Sequence, residues 1–416
     1  MLVIVAQSRR SVAPHAERVA GFVSAGGALI KAARQAEARA TMAAMALYTA
    51  PPPGSIVVLG GYGNAGGQIV ELLLQHTDRP VVVAGRRMDR AYAFVNTRGN
   101  PRLHPAQADA TMPDSLTGLL RGADVLVVAA GTSANWQPTA RAALAAGCHQ
   151  MDIQIGSAKN AGLRRLETPA RESGVAIITD CGFHPGVPGA MVRAVAADHP
   201  GLTSAVVSSW IALDWGALAE FSDSTIDEMV QEFADYRFEA FIDGEWRPPR
   251  GTRAVVFPSP VGRQKVAAMG LDEMHAVGEA LPGLRETGFY VGGFPRPVNY
   301  GVLPLVYAGM RVAPRRMTKP LGRLLDGGLR RFSRPPYTAM LQLDGAVEGA
   351  PAGPLLRVQH EDAYLLTAAP VVATVRQLLA DPRPGVHLQA VYVEPGAFFS
   401  DLAEMGVRVW RPRMMA

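Results

Sequence analysis

The chain has 416 residues, more than one ordinary hydrophobic core accommodates, so two domains are expected. Apolar residues make up 48% and charged residues 19%, a globular profile, and a net charge of +5 without zinc-finger spacing or an RNA-binding motif argues against nucleic acid. Cys148 and Cys181, the two cysteines, give no disulfide framework and no metal-ligand spacing, so no metal is expected and a reducing cytoplasm is the default. No uninterrupted apolar run reaches the roughly 18 residues of a membrane-spanning helix.

Residues 1–54 read as an N-terminal extension: Ala- and Arg-rich, poor in acids, and closed by Pro51-Pro52-Pro53-Gly54. Ser55 to Leu59 is a short β-branched run suited to a buried parallel strand. It runs into Gly61-Tyr62-Gly63-Asn64-Ala65-Gly66, a G-x-G-x-x-G turn, and a helix beginning at Asn64 with Ile69, Val70 and Leu72 to Leu74 on its apolar face. In this strand–turn–helix context Gly61 permits the turn, Gly63 leaves room for a pyrophosphate, and Gly66 lets helix and strand pack closely. The helix N-terminus then faces the phosphates. The alternative is a structural Gly-rich turn without a cofactor.

Further alternation follows. Strands are expected at Val81 to Ala84, Leu103 to Ala108, Asp124 to Ala130, Cys148 to Ile153 and Val175 to Thr179. Helices are expected around Met88 to Arg98, Pro113 to Arg121, Gln137 to Ala146 and Ala158 to Ser173. Six strands with crossover helices make a doubly wound parallel Rossmann sheet over residues 55–185, with its ligand at the carboxyl ends of the strands. The second strand ends in Gly85-Arg86-Arg87, with no acid there to take a ribose 2′-hydroxyl. Two guanidiniums suit a 2′-phosphate, so NADP(H) is expected rather than NAD(H), the alternative being arginines merely solvated at a strand end. Asp109, Ala130 and Gly131, just beyond the third and fourth strands, complete the expected cofactor set.

Asp180 to Gly189 is a Gly/Pro-rich joint where the chain leaves the first domain beside the expected nicotinamide position. His184 is its one side chain able to exchange protons near neutral pH and is the candidate catalytic residue; the competing reading is that it packs the joint. Phe183, Trp215 and Ser224 are the candidate substrate contacts.

Residues 186–365 read as an α+β substrate domain on a mixed or antiparallel sheet. A helix is expected from Ala190 to about Asp198, and strands at Ser204 to Leu213, Ala254 to Phe257, Lys265 to Met269, Tyr337 to Leu343 and Leu355 to His360. Ser222 to Glu228 reads as a capped helix start, and Phe238 to Trp246 as a hairpin around Asp243-Gly244. Arg311 to Arg334 holds eight basic residues and one acid, broken by Pro314, Pro320 and Gly327-Gly328. A solvated helical face fits this better than a peripheral membrane contact. The tail, residues 366–416, carries helices at Ala369 to Leu379 and Phe398 to Met405 around Gly385 to Leu388, and could return to the first domain.

The chain resembles the saccharopine dehydrogenase-like (saccharopine reductase) family over most of Ile56 to Val409. The likeness rests on V-V-L-G-G-Y-G-N-A-G-G, V-A-G-R-R, A-D-V-L-V-V-A-A-G followed by A-L-A-A-G-C-H-Q-M-D, the joint C-G-F-H-P-G-V-P-G and the late E-D-A-Y-L-L-T-A ahead of G-V-H. It implies NAD(P)-dependent chemistry at a C–N bond, condensing an amino acid with an oxo acid or the reverse, and a tail that rejoins the Rossmann domain. Three readings stay open: an NADP(H)-dependent oxidoreductase of this type acting on a small molecule, with a homodimer as a possible assembly; a same-fold reductase of a lipid or other apolar carbonyl or enoyl substrate; and a non-catalytic NADPH-sensing protein.

Overall fold

A computed structural model describes residues 51–130, 136–217, 236–312 and 314–412. The expectations placed on the N-terminal extension before Pro51, on Gly131, and on Ser222 to Glu228 with Ser224 lie outside these residues.

The first layer grows from short apolar strands. β1 (Ile56–Leu59), β2 (Val81–Gly85) and β4 (Val125–Val128) are buried along their whole length. With β3 (Leu103–Gln107), β5 (His149–Asp152) and β6 (Ala176–Thr179) they pair in parallel in the order β6-β5-β4-β1-β2-β3. Helices α1 (Asn64–His76), α2 (Met88–Arg98), α3 (Pro113–Leu120) and α4 (Trp136–Ala146) make the crossovers. The single helix expected after β5 is two, α5 (Ser157–Arg164) and α6 (Glu167–Glu172). Pro169 has no N–H to continue the ladder, so the chain restarts there.

The second layer follows α7 (Val187–Asp198). β7 (Leu202–Ala212), β8 (Ala240–Ile242), β9 (Glu245–Arg247), β10 (Arg253–Val256) and β11 (Arg263–Met269) lead to α8 (Asp272–Ala280) and β12 (Glu286–Gly292). After a π-helical turn come α9 (Leu303–Val312), α10 (Pro314–Phe332), β13 (Thr338–Val347) and β14 (Ala350–His360). The chain ends in α11 (Ala363–Ala380), β15 (Gly385–Leu388), α12 (Gln389–Tyr392), α13 (Pro395–Glu404) and β16 (Arg408–Trp410). The second sheet runs β10-β11-β12-β7-β13-β14-β16, with β8 pairing β12 and β9. Its β7–β12 pair is parallel and its other pairs are antiparallel. A parallel Rossmann sheet thus joins a mixed-sheet α+β domain. β15 adds to the first sheet in parallel beside β6, and one apolar cluster runs through both layers.

Two stretches depart from the sequence reading. α10 passes through Pro320 and Gly327-Gly328 without a break, because Leu321, Leu325 and Leu329 form one buried stripe against Trp215 and Val298. α11 is long and apolar enough to cross a membrane by length and composition, yet ten of its residues between Leu366 and Leu378 are buried in the core.

The joint is held by Glu273 of α8, whose Oε2 accepts from the N–H groups of Gly186 (3.0 Å) and Gly189 (3.3 Å) at the start of α7. Gly186 has φ 119, and a Cβ there would meet Asp180 O at 2.8 Å and Gly182 O at 2.9 Å, so only glycine fits. Glu273 is fully buried, and burial pushes its carboxyl up to about 8. The folded chain keeps this proton over a range where the unfolded chain has released it, so stability falls as pH rises from the ordinary 4.5 through about 8. Glu273→Gln keeps an acceptor but cannot ionise. Its thermal midpoint should fall less than that of the wild type between about pH 5 and 8; equal falls would show that Glu273 does not hold the proton.

Candidate active site

The Gly turn is a built cradle. A Cβ on Gly66 would lie 2.2 Å from Gly60 O, so α1 and the end of β1 touch only because that Cβ is absent. A Cβ on Gly63 would meet one protein atom, Gly60 O at 3.1 Å. The protein itself therefore hardly requires glycine at 63, and the room it leaves suits a pyrophosphate at the N-terminus of α1. Ala65 is buried behind the turn. Asn64 Nδ2 donates to Tyr364 Oη (3.2 Å), tying the turn to the start of α11.

Tyr62 connects this cradle to the end of β2. Its ring crowds Gly85, and its hydroxyl accepts from the Arg87 N–H at 3.0 Å. Arg86 and Arg87 are both exposed. Arg87 is already paired through two nitrogens with Asp89, at 3.3 and 2.8 Å, an acid absent from the sequence argument. The Arg86 guanidinium makes no ion pair among the described residues, with the Asp109 carboxylate acting on it only at longer range, which leaves it the freer of the two for a 2′-phosphate. The Asp109 carboxylate accepts from Thr111 N (2.9 Å) and Oγ1 (2.8 Å), and these bonds hold it below the usual carboxylate range. Ala130 O accepts from Gln154 Nε2 (3.1 Å), linking the ends of β4 and β5. The residues present fit a dinucleotide.

Where β5, β6 and β7 end, a small cavity of about 40 Å³ is lined by Ile153, Cys181 to Pro185, Ile211, Leu213, Ala363 and Thr367. Phe183 and His184 face it together, ring centroids 4.7 Å apart, with Phe289 of β12 5.4 Å on the far side of His184. His184 is 7% exposed, and neither ring nitrogen has a hydrogen-bond partner. Burial lowers its pKa to about 3. The expectation that it exchanges protons near neutral pH is therefore corrected: the imidazole is neutral there and offers one N–H and one lone pair. Trp215 does not line this cavity; it is 3% exposed and packs on Phe294 among the apolar side chains of α10.

Sequence reasoning missed a buried ionic cluster beside the joint. Lys159 Nζ donates to Asp152 Oδ1 (2.5 Å), Asp180 Oδ1 (3.2 Å) and Gln154 O. Asn160 Nδ2 bridges Asp180 Oδ2 (2.8 Å) and Asp272 Oδ2 (3.0 Å). Burial pulls the Lys159 pKa down, but the two carboxylates outweigh it and raise it; burial pushes Asp180 up to about 6. The available signal was a lysine inside an apolar α/β unit of a chain with only four lysines.

Residues 56–178 match the family model described as the saccharopine dehydrogenase NADP binding domain. No curated protein matches the chain. The chain is similar in fold to apo saccharopine dehydrogenase (L-Glu forming) from Saccharomyces cerevisiae, at 13% identity and TM-score 0.60, over 86% of this chain and 99% of that one. A lower similarity, TM-score 0.41 at 11% identity, links it to C. glutamicum DAP dehydrogenase in complex with DAP, over 84% of this chain and 98% of that one. Its first domain therefore matches a saccharopine dehydrogenase-type NADP-binding domain, and the chain as a whole shares the fold of a saccharopine dehydrogenase.

Proposed function

We propose that this chain is an NADP(H)-dependent oxidoreductase that transfers hydride at a C–N centre, reducing an imine formed between an amine and an oxo compound or running the reverse oxidation. The observation that carries the reading is His184: a neutral imidazole with two unpartnered ring nitrogens, facing a cavity at the carboxyl ends of the Rossmann strands. When bound, NADPH supplies the hydride. The Gly61 to Gly66 turn would hold the pyrophosphate and Arg86 the 2′-phosphate. The neutral His184 N–H would hydrogen-bond the heteroatom that gains the electron pair, with the balancing proton taken from solvent after transfer, while Phe183, Ile211 and Leu213 would keep water from the cavity during it. A second reading, an apolar carbonyl or enoyl substrate on the same site, is favoured because the described residues of the cavity lining are apolar apart from Cys181, His184 and Thr367. NADPH consumption with amine plus oxo acid, compared with aldehydes, ketones and enoyl compounds alone, separates the two. Turnover only without the amine would overturn the C–N reading.

His184→Phe keeps an aromatic ring between Phe183 and Phe289 but removes the N–H. It should lower kcat by about 10²-fold with NADPH affinity little changed. Wild-type kcat in this variant would return His184 to packing. Because its pKa lies near 3, wild-type kcat should show no titration of this residue between about pH 5 and 8.

Cofactor discrimination should separate the arginines. Wild-type protein should bind NADPH at least about tenfold more tightly than NADH. Arg86→Ala should remove most of that ratio by weakening NADPH alone, whereas Arg87→Ala, whose guanidinium is engaged by Asp89, should remove less. The ratio of the two dissociation constants at one salt concentration decides; a ratio unmoved by Arg86→Ala would show that Arg86 does not read the phosphate.

A further inference from the structure

A second cavity lies in the mixed-sheet domain. Its volume is about 260 Å³, and it opens between β11 and β12 on one side and the π-helical turn with α9 on the other. Aromatic rings wall it: Tyr236, Phe238, Phe294, Tyr300 and Tyr307. Tyr236 packs against Phe238 with the rings tilted and their centroids 4.5 Å apart, and Tyr307 closes the group 6.2 Å from Phe238. The Tyr236 hydroxyl donates to Ala268 O (2.8 Å), so that ring is fixed with its polar end already satisfied. Among the described residues Lys265 is the one charged group in the wall; it stands exposed at the rim and makes no ion pair with them. At the mouth Tyr300 is 71% exposed and Phe238 50%, an apolar rim held in water.

The cavity and the candidate active site are separate spaces that flank one strand face, with fully buried Phe289 between them. Ala267 and Met269 of β11 pair with Val291 and Phe289 of β12. Residues two apart on a strand share a face, about 7 Å apart. Phe289 therefore touches His184 at one end of this face, and Val291 lines the aromatic cavity at the other.

We propose that this cavity holds the apolar part of the substrate, a chain or ring bearing one negative charge that Lys265 meets at the rim. The inference rests on the redox site proposed above and specifies its substrate class. A dinucleotide is too large for it. A free zwitterionic amino acid would bring two charges to a wall whose described residues supply one cation and no acid to pair its ammonium. An acyl or aryl group fills an aromatic-lined space of this size, just below the roughly 300–1,000 Å³ of sites for drug-sized ligands.

The test uses the full chain and is independent of turnover. Anilinonaphthalene sulfonate is bound, then displaced by decanoate or by uncharged decanol, with NADPH affinity measured in parallel. Ala267→Trp, which fills the floor, should weaken decanoate at least about tenfold. Phe238→Glu, at a half-exposed wall position that leaves the fold intact, should do the same by repulsion. Lys265→Gln should weaken decanoate several-fold and leave decanol unchanged. NADPH affinity should stay within twofold of wild type in all three. Decanoate displacement unaltered in both Ala267→Trp and Phe238→Glu would overturn the proposal. Failure of the imine assay with the displacement pattern intact would count against the reaction and not against the cavity.

Discussion

The joint depends on how the chain accommodates a fully buried lysine. Taking an ammonium and two carboxylates out of water costs several kcal/mol per ion, and the cost is offset only when the partners are close and otherwise hydrogen-bonded. Lys159 meets this with three acceptors contributed by β5, by the residue just after β6, and by the loop between β5 and α5. Asp180, at φ 56, turns the chain out of β6 so that its carboxylate faces back to Lys159 while the following residues enter the cavity. Asn160 extends the cluster to Asp272 at the start of α8, and the next residue, Glu273, caps α7. One ionic cluster therefore sets the direction of the joint and its attachment to the second domain. A cluster of this kind specifies geometry more than it adds stability, and removal of one partner would leave an uncompensated charge in the core.

The first domain was largely legible because its information is local. Uninterrupted β-branched runs such as Ile56 to Leu59, with a glycine turn and a helix immediately after, leave few other arrangements. The second domain was less so. β12 lies between β11 and β7 in the mixed sheet, yet Gly288 and Gly292 interrupt its apolar pattern and concealed it. β13 and β14 extend well beyond their apolar cores because Glu348 and Gly349, both at positive φ, close a tight hairpin. The site divides in the same way. The cradle residues Gly61 to Gly66 announce themselves by spacing, whereas the state of His184 is set by Phe289, more than a hundred positions away, and by the desolvation that distant strands impose. Trp215 was misplaced for the same reason: a tryptophan after a strand has no local mark that says whether it faces a cleft or a helix stripe.

α11 joins the two halves of the chemistry. Asp362 caps it, its Oδ1 accepting from the N–H groups of Tyr364 (2.7 Å) and Leu365 (3.3 Å), so its first turn is firmly placed. Within that turn Tyr364 meets Asn64 at the phosphate cradle, while Ala363 and Thr367 line the cavity that holds His184. Residues three and four apart on a helix share a face; here adjacent faces of one turn serve the nucleotide and the substrate. The rest of α11 is anchored in the core through Val371, Val372 and Val375, and the chain continues from it into β15 beside β6. Displacement of this turn would therefore move the phosphate cradle and the redox cavity together. The distance between the two depends on a helix encoded some 300 residues from the glycine motif, which explains why a motif so plain in the sequence does not by itself define the site.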